Sequence, residues 1–201
     1  MIKKSINVKE LLELSGEKVF LKKLGKEYED EYCRTFNEGD IETTIFTGTQ
    51  QVFSKTDVES YLQNISLDSS RVDFIIFSKI TKKIVGEVVI NDIYRNNRSS
   101  GLRICMFKKE DFSKGYGTEA LFLALHYGFG MLNLHRIELE ALIFNERAIQ
   151  LYEKVGFKKE GIKRDGWYFN HRYYDLVTMS ILEDEFRQKY IDNQFNLKDF
   201  L

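Results

Sequence analysis

The chain has 201 residues, 43% hydrophobic and 30% charged, a composition that supports one domain with a sizeable buried core. Its 30 Lys and Arg against 31 Asp and Glu leave a formal net charge of −1. That balance lacks the electrostatic footprint of a general nucleic-acid binder and argues against acidic or basic tails.

Residues 1–16 place Val8, Leu11, Leu12 and Leu14 at helical spacing before Gly16. They predict a short amphipathic helix, within an extension over 1–18 that packs on a domain filling 19–201. Residues 19–24 read as a strand, and a helix over 27–37 stops at Gly39. Ser54, with Asp57 three residues on, caps a second helix that runs through Leu62. Three strand-like runs follow, 72–77, 84–90 and 102–107, and their short polar connections favour an antiparallel meander. After Lys108 the pattern changes. The turn over 113–118 opens a helix from Glu119 to near Leu132, and 135–143 alternates as a strand. Asn145 caps a helix over 146–155 closed by Gly156, 173–182 gives a last strand, and 183–190 is helical. Asp165-Gly166 predicts the turn of a hairpin in the aromatic stretch from Trp167 to Tyr174. The fold class is α/β of the α+β type: one domain, with a central mixed and mostly antiparallel sheet flanked by helices.

Cys33 and Cys105 lie far apart and beside no His or Asp cluster, so neither a disulfide framework nor a metal site is expected. No apolar stretch follows Lys3 and Lys4, and no run approaches the roughly 18 apolar residues of a membrane span. The expectation is a cytoplasmic protein with no membrane or nucleic-acid partner. Proline is absent, so neither polyproline linkers nor cis-proline turns are available.

The most informative segment is Lys114-Gly115-Tyr116-Gly117-Thr118-Glu119-Ala120. Two glycines around one residue, between a strand and a helix, let successive backbone N–H groups converge on an anion at the positive end of the helix. The plain structural reading is a tight turn feeding a helix. Gly115-x-Gly117-x-x-Ala120 also fits a dinucleotide fingerprint, with Glu138 about twenty residues on. That fingerprint normally joins the first strand and helix of a parallel unit, whereas here a meander and two helices precede it. A Walker A loop is excluded, since no Gly-Lys-Ser/Thr follows four spacer residues.

Taken together, Ile104-Cys105-Met106, this glycine turn, and Asn145-x-x-Ala148-x-x-Leu151-Tyr152-x-Lys154-x-Gly156-Phe157 resemble the GNAT superfamily of acetyl-CoA-dependent N-acetyltransferases. Glu160-Gly161-x-x-Arg164, Tyr173-x-Asp175 and Ser180-Ile181-Leu182 are similar to its RimJ/RimL-like branch, which contains ribosomal-protein N-terminal acetyltransferases. The resemblance runs from Val19 to Leu182. Two departures stand out: Phe112 occupies the usual Gln or Arg position three residues before the first glycine, and Gly101 replaces a Glu common before the Leu-x-Ile of the fourth strand.

The resemblance implies acetyl-CoA as co-substrate. Its pyrophosphate would lie on the N–H groups of Gly115, Tyr116, Gly117 and Thr118, with Lys114 nearby, and its pantetheine arm along the main chain of Ile104, Cys105 and Met106. Asn145 would contact that arm, and Ala148 would let it approach. Tyr152 matches the position that protonates the leaving thiolate; its bland reading is half-buried packing. Glu87 and Glu140 are candidate proton acceptors if they face the cleft, and both are otherwise ordinary strand residues. Lys154 and Arg147 are placed to meet the ribose phosphate, and otherwise read as solvated surface charge. The aromatic stretch lines the acceptor cleft or packs at a homodimer interface. The implied reaction is direct transfer of an acetyl group to a primary amine, either a protein N-terminus or a small molecule. A catalytically degenerate acyl-CoA-binding sensor or interaction module of the same fold is the alternative.

Overall fold

Val72 to Phe77 is apolar at nearly every position, which suits a strand covered on both faces. In the computed structural model, which describes residues 14–40, 43, 45, 46 and 53–191, this segment lies inside a seven-stranded sheet. The strands are β1 (Val19–Lys23), β2 (Val72–Ser78), β3 (Ile84–Tyr94), β4 (Ser99–Met106), β5 (Arg136–Leu142), β6 (Lys158–Phe169) and β7 (Arg172–Leu182). They run in the order β1-β2-β3-β4-β5-β7-β6, antiparallel throughout except for the parallel β4–β5 pair. Among the described residues the α-helices are α1 (Glu29–Asn37), α2 (Lys55–Leu67), α3 (Tyr116–Gly130), α4 (Glu146–Val155) and α5 (Glu183–Tyr190).

Each face of the sheet has its own core. Phe74, Ile76, Val88, Ile90 and Leu102 pack with Leu121 and Leu125 of α3, Ile149 of α4 and Phe186 of α5. Ile75, Phe77, Cys105 and Phe107 pack with Tyr32 and Phe36 of α1 and Val58 and Leu62 of α2. The meander and the capping box are as the sequence indicates: Ser54 Oγ accepts from the Asp57 N–H at 3.1 Å, and Asp57 accepts from the Ser54 N–H at 2.8 Å.

The helix expected over residues 1–16 lies almost wholly outside the described residues. Its described end is held firmly. Leu14 is buried, and the Glu119 carboxylate on the first turn of α3 accepts from the N–H groups of Glu17, Lys18 and Val19 at 2.7–2.8 Å.

The hairpin is real but its turn is elsewhere. β6 continues through Asp165-Gly166, and the chain reverses at Asn170-His171, both with positive φ (47° and 62°), between the paired Phe169 and Arg172. Two successive left-handed residues are the signature of a tight hairpin turn. Asp165 (φ 52°) instead forms a bulge, where the register shifts between Lys163 and Trp167 and the Asp165 N–H donates to Asp175. Gly166 serves close approach, since a Cβ there would lie 2.9 Å from Leu176. Most of β6 escaped sequence reading because it is an exposed edge strand, so no apolar alternation marks it.

One feature of the sheet creates the site. β4 pairs with β5 only at Ser99–Gly101 against Arg136–Glu138, although β4 continues to Met106 and β5 to Leu142. Beyond Gly101 the two strands part, and the β5-facing main chain of Leu102 to Met106 loses its ladder partners.

Candidate active site

The first wall of the site is the start of α3. Gly115 is the N-cap residue in left-handed conformation (φ +86°), and no side chain caps the first turn. A Cβ at Gly115 would also lie 2.8 Å from the Lys18 ammonium, a mobile side-chain end, so it is the left-handed backbone that calls for glycine. At Gly117 a Cβ would touch only Leu151, at 3.4 Å, and its absence lets a ligand reach the backbone. The Tyr116 ring turns into the core, where its hydroxyl bonds to Ser78 Oγ at 3.1 Å, leaving only its main chain at the surface of the turn. The N–H groups of the first turn therefore present positive potential to the cleft.

That cleft, about 200 Å³, lies between the α3 turn, the freed end of β4 and α4. It brings together Ile104, Cys105, Met106, Gly115, Tyr116, Gly117, Thr118, Asn145, Ala148 and Tyr152. Asn145 caps α4, its Oδ1 accepting from the Ala148 N–H at 3.2 Å. Lys114 does not line the cleft: its ammonium is held by Asp111 at 2.9 Å, while Lys18 Nζ donates to its carbonyl. Arg147, read from sequence as surface charge, does line it, with its guanidinium 3.4 Å above the Phe112 ring. Thr43 and Phe46 add a wall from the connection between α1 and α2, which no motif marks.

A second cleft of about 370 Å³ opens on the other side of Tyr152, between the parted strands. Tyr152, Ile104 and Phe46 line both clefts, so the phenol stands where the two meet. Tyr152 is buried, and burial pushes its pKa up to about 12. The second cleft carries Asp92, Glu138 and Glu140, the backbone of Gly101, and Trp167. The aromatic stretch therefore divides: Trp167 faces the cleft, whereas Tyr168 and Tyr173 pack on each other at the exposed hairpin end.

Glu87 is not brought to Tyr152. The alternation of β3 sends Val88 and Ile90 toward α3 and Glu87 toward α1 and α2. There it is buried, with Tyr32 donating to one oxygen at 2.6 Å and Arg103 to the other at 2.8 Å. Burial and the adjacent carboxylate push the Tyr32 phenol well above its ordinary range, so Tyr32 stays a donor. Glu87 is thus an acceptor inside a polar cluster with Tyr32 and Arg103, and it lines neither of the two clefts that meet at Tyr152. Of the histidines, His126 lies against α5, where burial draws its pKa down.

A turn of free N–H groups beside a parted parallel pair can hold a phosphate and an extended arm at once, which is the arrangement that the resemblance to acetyl-CoA-dependent transferases implies. The acetyltransferase (GNAT) domain matches residues 18–158, and the chain belongs to this family. Spermidine N(1)-acetyltransferase of Vibrio cholerae is 34% identical over 105 residues, 52% of this chain and 60% of that protein. The chain thus spans three fifths of that relative's length. An uncharacterized N-acetyltransferase, p20 of Bacillus licheniformis, is 28% identical over 177 residues, 86% of this chain and 97% of the relative. The crystal structure of spermidine N-acetyltransferase from Vibrio cholerae with CoA and spermine superposes with a TM-score of 0.77 at 25% identity, covering 85% of this chain and 99% of that one. No helix among the described residues is long and apolar enough to cross a membrane.

Proposed function

We propose that the protein is an N-acetyltransferase whose acceptor is a small cationic amine of the polyamine class, entering through the second cleft. The observation that carries this reading is the charge of that cleft. Asp92, Glu138 and Glu140 line it against one lining guanidinium, Arg103, which already serves Glu87; Arg136 and Lys163 offset Glu138 and Glu140 from outside the lining, so Asp92 carries the charge left over. Like charges around a low-dielectric mouth concentrate counter-charged ligands. The names of the Vibrio cholerae relatives, spermidine acetyltransferases, support the same acceptor class.

Acetyl-CoA supplies an acetyl group as a thioester. The N–H groups of Gly115 to Thr118 hold the pyrophosphate, with Arg147 as the cleft's cation. The main chain of Ile104 to Met106, freed where β4 leaves β5, orients the extended arm and donates toward the carbonyl oxygen where charge develops. Tyr152 holds a proton at the meeting of the clefts and delivers it to the leaving sulfur. A phenol near 12 giving its proton to a thiolate of pKa about 8.5 runs uphill by roughly 5 kcal/mol, a gap that narrows because the same burial raises the thiol. The amine attacks as its free base, passing its proton to water in the open second cleft.

The test is release of free CoA across polyamines, amino sugars and N-terminal peptides. Turnover confined to the polyamines is the expected result. Turnover with peptides alone would place the acceptor among protein N-termini. Binding of acetyl-CoA without release by any amine would leave the acyl-CoA sensor.

A further inference from the structure

The geometry points to Asp92 as the carboxylate that binds the acceptor's non-reacting ammonium, an inference that rests on the acceptor reading above and sharpens it to one residue. The β3–β4 ladder pairs Asn91 with Gly101 and next pairs Tyr94 with Ser99, so Asp92 and Ile93 face the single residue Ser100. This is a bulge, and at its centre Asp92 adopts φ +50°, a left-handed conformation that Asp and Asn take more readily than other non-glycine residues. Bulges of this kind re-aim a side chain out of the strand's alternation. Asp92 is exposed and lines the second cleft together with Tyr152.

Its surroundings leave its charge available. Gly101, opposite Asn91, has no side chain, and the Asn91 amide fills that space: a Cβ at Gly101 would lie 3.1 Å from it. The same amide donates to Asp92 Oδ2, fixing the carboxylate with a neutral partner. Glu138 and Glu140, in contrast, are each paired with a cation, Arg136 at 3.0 Å and Lys163 at 3.2 Å. Among the described residues Asp92 has no cationic partner, which makes it the cleft carboxylate with charge to offer. A carboxylate that lines the same cleft as the phenol suits the far ammonium of a di- or triamine, while the near amine, as free base, faces the thioester.

Asp92→Asn removes the charge and keeps a residue type at ease with positive φ. Steady-state CoA release is measured for wild type and variant with spermidine and with butylamine, which carries one amine. The variant is expected to raise KM for spermidine by 10-fold or more, with kcat and the KM for acetyl-CoA within twofold. The preference for spermidine over butylamine should fall by the same factor. Asp92→Gly, which relieves the backbone altogether, should give the same loss. An unchanged spermidine KM, a fall in kcat alone, or equal losses for spermidine and butylamine would each overturn the assignment while leaving the acceptor class standing. A wild type that releases no CoA with any amine overturns both.

Discussion

Tyr152 and Glu87, the candidate acid and a candidate proton acceptor of one reaction, lie on opposite faces of the sheet. Tyr152 was legible because a helix cap, a small residue and a glycine stop frame it at fixed offsets along one element: Asn145, Ala148 and Gly156. Glu87 depended on which way a strand side chain points. That is set by register, and β3 is buried on both faces through Ile90, so no alternation reveals it. The consequence at this scale is a sharp expectation for the phenol. Tyr152→Phe keeps the ring that packs against Phe157 and removes only the proton. Its kcat should fall by roughly 100-fold, the usual worth of a positioned general acid. Acetyl-CoA affinity by calorimetry should stay within about twofold of wild type. An unchanged kcat would remove Tyr152 from proton delivery.

At the scale of elements, the far end of the sheet is stapled by a polar cluster that crosses three strands. Glu160 on β6 accepts from Arg136 on β5 at 2.8 Å and from Ser180 on β7 at 2.8 Å. These bonds lower its pKa to about 2. A carboxyl whose folded value lies below its unfolded value of 4.5 stabilises the fold only while ionised. Its contribution is therefore complete above about pH 5 and is lost as the pH falls toward 2. Because the pair is partly exposed, solvent screening keeps the effect modest. Glu160→Gln should lower the urea midpoint at pH 7 and flatten its fall between pH 5 and 2; a parallel pair of curves would show that Arg136 and Ser180 hold the strands without it. Elements with one buried face or a cap were legible in sequence, as Ser54, Asn145 and the meander show. β6 was not, because its stability comes from pairing along β7 and from Glu160 rather than from apolar burial. The Asp165-Gly166 signal predicts the reversal itself and instead marks a bulge, because a bulge and a turn ask for the same residues.

For the whole molecule, near-neutrality has a mechanistic consequence. A chain of net charge −1 gives no long-range attraction to a polyanionic cofactor. The phosphates must then be met locally, by the N–H groups at the head of α3 and by Arg147 on its Phe112 platform. The second cleft places carboxylates, Asp92, Glu138 and Glu140, on the other side of Tyr152, and the proposed function gives each substrate its own entrance on that difference of local charge. Neither cleft could be read from composition, because both arise where β4 and β5 part, a property of the sheet and of no single segment. Binding in that wedge ties α3, α4 and β4 together, and a ligand held only by the folded state stabilises it by mass action. Acetyl-CoA at 100 times its dissociation constant should contribute about 2.7 kcal/mol. For a chain of 201 residues that is a rise in Tm of roughly 5–11 °C. NAD, which offers a pyrophosphate but no extended arm to lie along Ile104 to Met106, should leave the Tm unmoved. A shift of equal size with NAD would mean that the turn at Gly115 and Gly117 holds pyrophosphates without regard to the parted strands, and no shift with acetyl-CoA would remove the wedge from cofactor binding.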